Sequence, residues 1–552
     1  MHLSIKIIFC LTLIIPPVVS AKFTLIHNVT GYTLERTGNL KQFSTLVFKD
    51  GKIVKTGDKS LLKNYPKAHK INGNNKYLLP GLIDAHGHVI GLGQNLSRLD
   101  LRNTKSKQEI GEKLKVFAKD KTGWIIGRGW DQENWPVQQF PTASDLDIYI
   151  KDMPVVLTRV DGHAIWANTK AMSLASISSS TLAPNGGEIM RLDNNNPSGV
   201  FIDKAENLIN EHIPKSTKNE INHALNLAGE HLLSLGITSV HDAGIDLTTW
   251  QVYKQRSKNK SLPFRIYAML SASDPSLEKM LNAGTYQEQN DFLSIRSIKV
   301  YADGALGSRG AALLEDYADR PQHKGLMLES QNQLEKLYTQ SFKHGFTANT
   351  HAIGDRANKT VLDAYESVFK KTGGRLLRNR IEHAQIVHID DIPRFKKLNI
   401  IPSMQPVHAT SDMHMAPIRL DDKRLVGAYA WQTFIKQGSH LAAGSDFPVE
   451  LANVFHGFYS AVSRMDQNQQ PEKGWFYEQA LSRKQAFKAF TLDGAYAAHQ
   501  EFKIGSLERG KWADFILVDQ DIFKAPVSQI YKTQVLETWI AGEKKYQKRI
   551  SN

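Results

Sequence analysis

The sequence predicts an α/β fold: a closed (β/α)8 barrel that carries a small β-sandwich built from both chain ends and an inserted α/β domain. Three observations predict it. Apolar strand candidates alternate with helical stretches through the middle of the chain, short β-type runs cluster at its two ends, and one connection is far too long for a simple crossover. A domain takes roughly 100 to 200 residues, so 552 residues suffice for several domains or one large barrel with additions. A hydrophobic share of 41% is that of an ordinary globular protein and excludes disordered and fibrous classes.

At the start, Met1 to Lys6 form a basic segment, Ile7 to Ile15 an apolar one, and Val19-Ser20-Ala21 a small-residue site. This is the form of a secretory signal spanning 1–21, with the cut expected after Ala21, so the sequence predicts an exported protein, periplasmic or secreted. The apolar stretch is too short to span a bilayer, and no later segment approaches about 20 apolar residues, so no stable membrane anchor is expected after cleavage. The single cysteine, Cys10, lies within this stretch after Phe9, which does not suit lipid attachment. The mature chain then has no thiol, and any metal must be held by nitrogen and oxygen.

The next elements are β runs. Phe23 to Ile26 and Ser44 to Phe48 precede the turn Lys49-Asp50-Gly51-Lys52 and the strand Ile53-Val54, a hairpin signal. Trp512 to Val518 and Val535 to Ile540 read the same way, which assigns the β-sandwich to 22–78 and 495–552. Between them stand eight strand candidates: Gly81 to Ala85, Ile237 to Val240, Arg265 to Leu270, Ile298 to Tyr301, Thr347 to Thr350, Arg380 to Glu382, Ile400 to Met404 and His440 to Ala443. Eight suggests a closed barrel, placed at 79–92 and 231–494. The first two are separated by about 150 residues, several times an ordinary crossover, so an inserted domain over the barrel mouth is expected at 93–230.

There are 69 basic side chains against 55 acidic ones, a formal charge of +14. The charges are mixed throughout, without the basic block that an electrostatic footprint needs, so nucleic acid is not expected as a partner.

The strongest local signal is Pro80-Gly81-Leu82-Ile83-Asp84-Ala85-His86-Gly87-His88, an apolar strand that ends in two histidines on one face. Neutral imidazole binds zinc and related ions, and a barrel strand ending this way delivers both rings to the C-terminal mouth. Later strand ends add Lys299, His351, His383 and Asp446. Singly, each has an ordinary explanation: Lys299 a buried ion pair with a neighbour such as Asp303, the histidines structural hydrogen bonds, Asp446 a helix cap. Together they point to a metal centre.

These residues, with the Lys49-Asp50-Gly51-Lys52-Ile53-Val54 hairpin and the closing Gly505-Ser506-Leu507-Glu508-Arg509-Gly510-Lys511-Trp512-Ala513-Asp514, resemble the amidohydrolase superfamily over nearly the whole mature chain. Within it, the chain is most similar to the branch of N-substituted formamide deformylase-like, metal-dependent hydrolases. The resemblance implies that His86 and His88 bind the more buried metal and that a carbamylated Lys299 bridges two metals. It implies further that His351 and His383 hold the second metal, and that Asp446 contacts the first and serves as general base in hydrolysis by metal-activated hydroxide. Two zinc ions are the expected cofactor, with iron, manganese or cobalt also admitted by the ligand set.

The expected substrate is a small molecule with a non-peptide or N-substituted amide C–N bond. Trp130, Asp131, His163, Asp303, Arg309 and His456 are candidate substrate-binding residues, the alternative for each being packing. Gly310 departs from relatives that often carry threonine there. Rival readings are a mononuclear cyclic amidase, an N-acyl amino acid deacylase or a deaminase on the same fold, and, from another class, an exported binding protein without turnover. The oligomeric state stays open, with a homodimer as the default expectation.

Overall fold

The computed structural model describes residues 22–132, 135–159, 164–184 and 187–549. Its centre is a sheet of eight parallel strands: β1 (Leu82–Gly87), β2 (Ile237–Ile245), β3 (Arg265–Ser271), β4 (Leu293–Tyr301), β5 (Thr347–Ala352), β6 (Arg380–His383), β7 (Ile401–Met404) and β8 (Ala442–Ala443). They pair in chain order, and each contains or overlaps one of the eight runs expected from sequence. The circle closes where the chain beyond β8 meets the end of β1. Asp446 N donates to His86 O and His88 N to Phe447 O, both at 2.7 Å, and Gly87 bridges Phe447 in parallel. Because all eight strands are parallel, their C-terminal ends share one rim.

The helices that cover the barrel are made by local rules. Lys218–Ser234, which leads into β2, starts with a capping box: Thr217 Oγ1 accepts from Glu220 N, and Glu220 Oε2 accepts from Thr217 N at 2.7 Å. Ile221, Leu225, Ala228 and Leu232 recur at helical spacing and are buried, three of them in the main barrel core.

Strands from both chain ends form one seven-stranded sheet. Thr24–Leu34, Leu40–Lys49, Lys52–Gly57 and His69–Pro80 come from the N-terminal side, and Phe515–Val518, Val535–Ile540 and Glu543–Gln547 from the C-terminal side. The Asp-Gly turn is as expected from sequence: Asp50 and Gly51 both have positive φ, 51° and 72°, and Lys49 pairs with Lys52. His69–Pro80 joins the two halves, pairing parallel to Thr24–Leu34 and antiparallel to Phe515–Val518, and runs straight on into β1.

The insert has its own six-stranded sheet, from Leu99–Asp100 to Pro197–Asp203. Alternation along Val155-Val156-Leu157 splits its core in two. Val155 and Leu157 pack with Trp130 and Trp166 on one face, and Val156 with Ile165 and Phe201 on the other. The sheet ends at Asp203, and Lys218–Ser234 packs on the barrel, so the insert stops short of the expected boundary at 230.

The terminal sheet is tied to the barrel floor by a buried ion pair. Arg265, at the start of β3 and fully buried, donates Nε to Asp514 Oδ2 at 2.6 Å and Nη2 to Oδ1 at 3.0 Å, and Asp514 Oδ1 also accepts Ala541 N. Removing one partner strands the other charge away from water. Asp514→Ala is therefore expected to lower unfolding free energy by about 3–5 kcal/mol. Urea denaturation measures this, and a loss below about 1 kcal/mol, the range of a surface pair, would show that the clamp does not hold the sheet.

Candidate active site

The site forms at the barrel seam. Asp84, on β1 and fully buried, accepts from His86 N at 3.2 Å and from both N and Oγ of Ser445, at 3.0 and 2.6 Å. Burial pushes its carboxyl up to about 7 against these three bonds. The chain after β8 must lie close against β1 for this, and at Gly444 an added Cβ would stand 2.5 Å from His86 N. Asp446 is thereby set beside both histidines, its Oδ1 3.6 Å from His86 Nε2 and 3.1 Å from His88 Nε2. Asp446 and His383 have φ of 61° and 71°, a left-handed conformation costing roughly 1–2 kcal/mol each, so the local bonding holds both ligand candidates against strain.

Each imidazole is aimed by a second group. His86 donates Nδ1–H to Glu382 Oε2 at 2.6 Å, which turns Nε2 toward the cleft. Burial raises the Glu382 carboxyl, but His86 and Arg380 outweigh it and hold it at about 2. His383 Nδ1 faces Gln405 Oε1 at 2.8 Å, so the neutral ring donates there and its Nε2 is left free. His351 lies beside His383, ring centroids 4.4 Å apart, and its Nε2 is buried with no hydrogen-bond partner. Burial lowers the pKa of His86 and His383 and takes His351 down to about 3, so all three rings are neutral, the form that binds metal.

Lys299 lies at the floor, 1% exposed, with Nζ 3.1 Å from His86 Nε2. Among the described residues it makes no ion pair, and Asp303 is committed elsewhere, accepting Ala312, Ile353 and Gly354 N–H at 2.8–2.9 Å. Burial lowers the Lys299 ammonium to about 8, which favours the neutral amine that can take up carbon dioxide. Burial also works against the Asp446 carboxylate, but the His88 ring beside it favours the charged form and the balance leaves it well below the usual range.

These residues fit a divalent cation. Two groups, His86–His88–Asp446 and His383–His408–Asp446, each bring three ligand atoms within 4.8 Å of one another. Asp446 Oδ1 and the Nε2 atoms of His351 and His408 are buried and unsatisfied, Oδ1 lying near His88 without hydrogen-bond alignment. Nitrogen and oxygen donors without sulfur suit zinc and also iron, manganese or cobalt. They face a cleft of about 420 Å³ whose walls include Tyr301, Leu306, Ile353, Met415 and Val449. A larger cavity of about 900 Å³, beside Tyr317 and Arg424, contains none of these ligand candidates.

Sequence reading missed three contributors. His408, in the short helix Pro406–Asp412 after β7, stacks on His383 and lies 3.8 Å from Asp446 Oδ2. Glu382 and Gln405 are the others. Parity could have found Glu382, because alternation places it with Arg380 inside the barrel, where a charge needs a partner.

Of the expected substrate-binding residues, none of those described lines the cleft. Trp130 is fully buried in the insert core and donates Nε1–H to Leu157 O at 2.7 Å, because the aromatic cluster of Trp130, Trp135 and Trp166 is that domain's packing centre. Arg309 is held by Asp319 at 2.7 Å, and His456 Nδ1 accepts from Gln467 at 2.9 Å. Asp303 clamps backbone, Asp131 is half-buried at the end of an insert strand, and His163 lies outside the described residues. At Gly310 an added Cβ would meet nothing nearer than 3.4 Å, so the loop, closed by Gly310 N donating to Ala305 O, has room for a side chain there.

The chain is similar to known proteins along most of its length. The profile of the Amidohydrolase family matches residues 70–546. The chain is 32% identical over 551 residues to Protein LONG AFTER FAR-RED 3 of Arabidopsis thaliana, covering 96% of this chain and 93% of that protein. It is 31% identical over 531 residues to the putative amidohydrolase YtcJ of Bacillus subtilis (strain 168), covering 94% and 98%. It is 23% identical over 505 residues to the N-substituted formamide deformylase of Arthrobacter pascens, covering 88% and 91%. Among solved structures, an uncharacterized metal-dependent hydrolase from Pyrococcus horikoshii OT3 superposes with a TM-score of 0.78 at 27% identity, covering 92% of this chain and 99% of that one.

The role of Glu382 can be measured without turnover. Glu382→Gln removes the charge that fixes the His86 tautomer, and the zinc dissociation constant from chelator competition is expected to rise about 10- to 100-fold. Unchanged affinity would show that the carboxylate does not orient this ligand.

Proposed function

Because the chain belongs to the amidohydrolase family, we propose that it hydrolyses the C–N bond of an N-substituted, non-peptide amide with two divalent cations bound at the barrel mouth. The observation that carries this reading is the convergence, on one apolar-walled cleft, of six candidate ligands from five strand ends: His86, His88, Lys299, His351, His383 and Asp446. His86, His88 and Asp446 would hold one cation and His351 and His383 the other, with Lys299 bridging as a carbamate, formed when its neutral amine adds carbon dioxide and releases a proton. Zinc is the metal best suited to this donor set. The relative that cleaves N-substituted formamides supports the choice of amide class.

Bound cations supply an acidic water and a polarised carbonyl. The protein does the rest. Asp446, ionised and next to His88, accepts the proton that water gives up and returns it to the departing nitrogen as the C–N bond breaks. Water's oxygen ends in the carboxylic acid and the nitrogen leaves as an amine. Glu382 and Gln405 keep protons on the Nδ1 atoms of His86 and His383, so neither ring turns from the cleft. The aliphatic walls exclude bulk water and strengthen each polar contact within.

Elemental analysis of purified protein, produced with bicarbonate present, is expected to give about two metals per chain, falling in Lys299→Ala. Zero or one, unchanged in that variant, would overturn the bridged centre. Asp446→Asn is expected to reduce amide turnover by roughly 10²- to 10⁴-fold, and near-normal turnover would remove Asp446 as the base. Formate, ammonia or a free amino acid in the products distinguishes deformylation, deamination and deacylation.

A further inference from the structure

The outer part of the same cleft has a charge pattern that the hydrolytic chemistry does not use. Its polar lining beyond the ligand candidates consists of Tyr301, Gln385, Asp412 and Glu450, and Lys299 is the only lysine or arginine in the lining among the described residues. Arg309, on the loop after β4, and Arg419, at the end of the short helix Ala416–Arg419, are both bound to Asp319. Each outer carboxylate is fixed through one oxygen. Asp412 Oδ2 accepts Tyr429 Oη–H at 2.6 Å and Gln385 Nε2–H at 2.8 Å, and Glu450 Oε1 accepts Ser411 Oγ–H at 2.6 Å.

Neither carboxylate forms an ion pair with a lysine or arginine among the described residues. Burial pushes the Asp412 carboxyl up, whereas Glu450 is only half-buried and keeps its second oxygen free of the Ser411 bond. That this is a ligand cleft stands on separate grounds: His351, 9% exposed, and His408 present unsatisfied Nε2 atoms to the same space. The apolar lining of the same cleft includes Leu306, Ile353, Met415 and Val449. A molecule that fills this space presents a carbonyl inward, an apolar stretch along the walls, and its far end to a carboxylate.

We propose that the cleft selects amides whose N-substituent is apolar next to the scissile bond and positively charged at its far end, with Glu450 as the group that recognises the charge. An anionic far end meets like charge there and is disfavoured. The inference rests on the amide-hydrolase reading and counts against substrates such as N-acyl amino acids, which carry a carboxylate beside the amide.

Three formamides that share a linear alkyl chain test it: N-pentylformamide, N-(5-aminopentyl)formamide and 5-formamidopentanoate. For the zinc-loaded protein, kcat/KM is expected to be about fivefold higher for the ammonium compound than for the neutral one, and lowest for the carboxylate. Glu450→Gln keeps the acceptor for Ser411 and is expected to shrink the ammonium advantage below about twofold and raise the carboxylate relative to the neutral compound. Equal values in the wild type, or the same ranking retained in Glu450→Gln, would overturn the proposal. If none of the three is cleaved by fully loaded protein, the amide reading fails, and calorimetric titration of the same compounds still ranks their affinities and decides the charge preference.

Discussion

The bond between the first and last barrel strands is the constraint on which the site depends. β8 is only two residues long, so closure rests on the chain just past it, where Asp84 takes up Ser445 and the main chain of Asp446 bonds to His86. Six of the eight strands could be perfect and the centre would still be absent if this seam were open, because three candidate ligands, His86, His88 and Asp446, meet only across it. Asp84 holds the join from inside the protein. A carboxyl in so apolar a place is costly unless fully bonded, and all its bonds go to the two segments that must meet.

Around that seam, the polar interior of the barrel is one connected system. Arg380 reaches His241 Nδ1 at 2.9 Å and lies 3.8 Å from Glu382, which in turn fixes His86. Charges placed this deep are tolerated because Arg380 and Glu382 lie close enough to compensate one another, and the outcome is a set of neutral rings with fixed orientation. The same arrangement explains how Lys299 can sit beside imidazoles without a carboxylate of its own: burial lowers its proton affinity rather than drawing in a counter-ion.

Much of this was legible in the sequence, because strand order and strand-end chemistry are local properties. Eight apolar runs mark the strands, and the Asp-Gly turn announces its own hairpin. The six ligand candidates were visible as polar residues at the ends of such runs. What stayed hidden depends on partners far away in the chain. His408 lies within a two-turn helix rather than at a strand end, so no alternation marks it, and its place beside Asp446 exists only once β7 and β8 are neighbours. Trp130 and Arg309 misled for the complementary reason. An indole after Gly129 or a guanidinium in a glycine-rich loop reads as a substrate group until Leu157 O and Asp319 are seen to occupy it.

The strand His69–Pro80 has a consequence for how the molecule is made. It lies at the middle of the terminal sheet, with one neighbour from the beginning of the chain and the other, Phe515–Val518, from near its end. On the ribosome, the barrel segments emerge while one edge of this strand is still bare, and Leu78 and Leu79, fully buried in the finished protein, wait for a partner more than 400 residues downstream. Completion of the sheet is thus a late event with high contact order. A chain that ends before Phe515 leaves this apolar edge unpaired, a template for pairing with other chains.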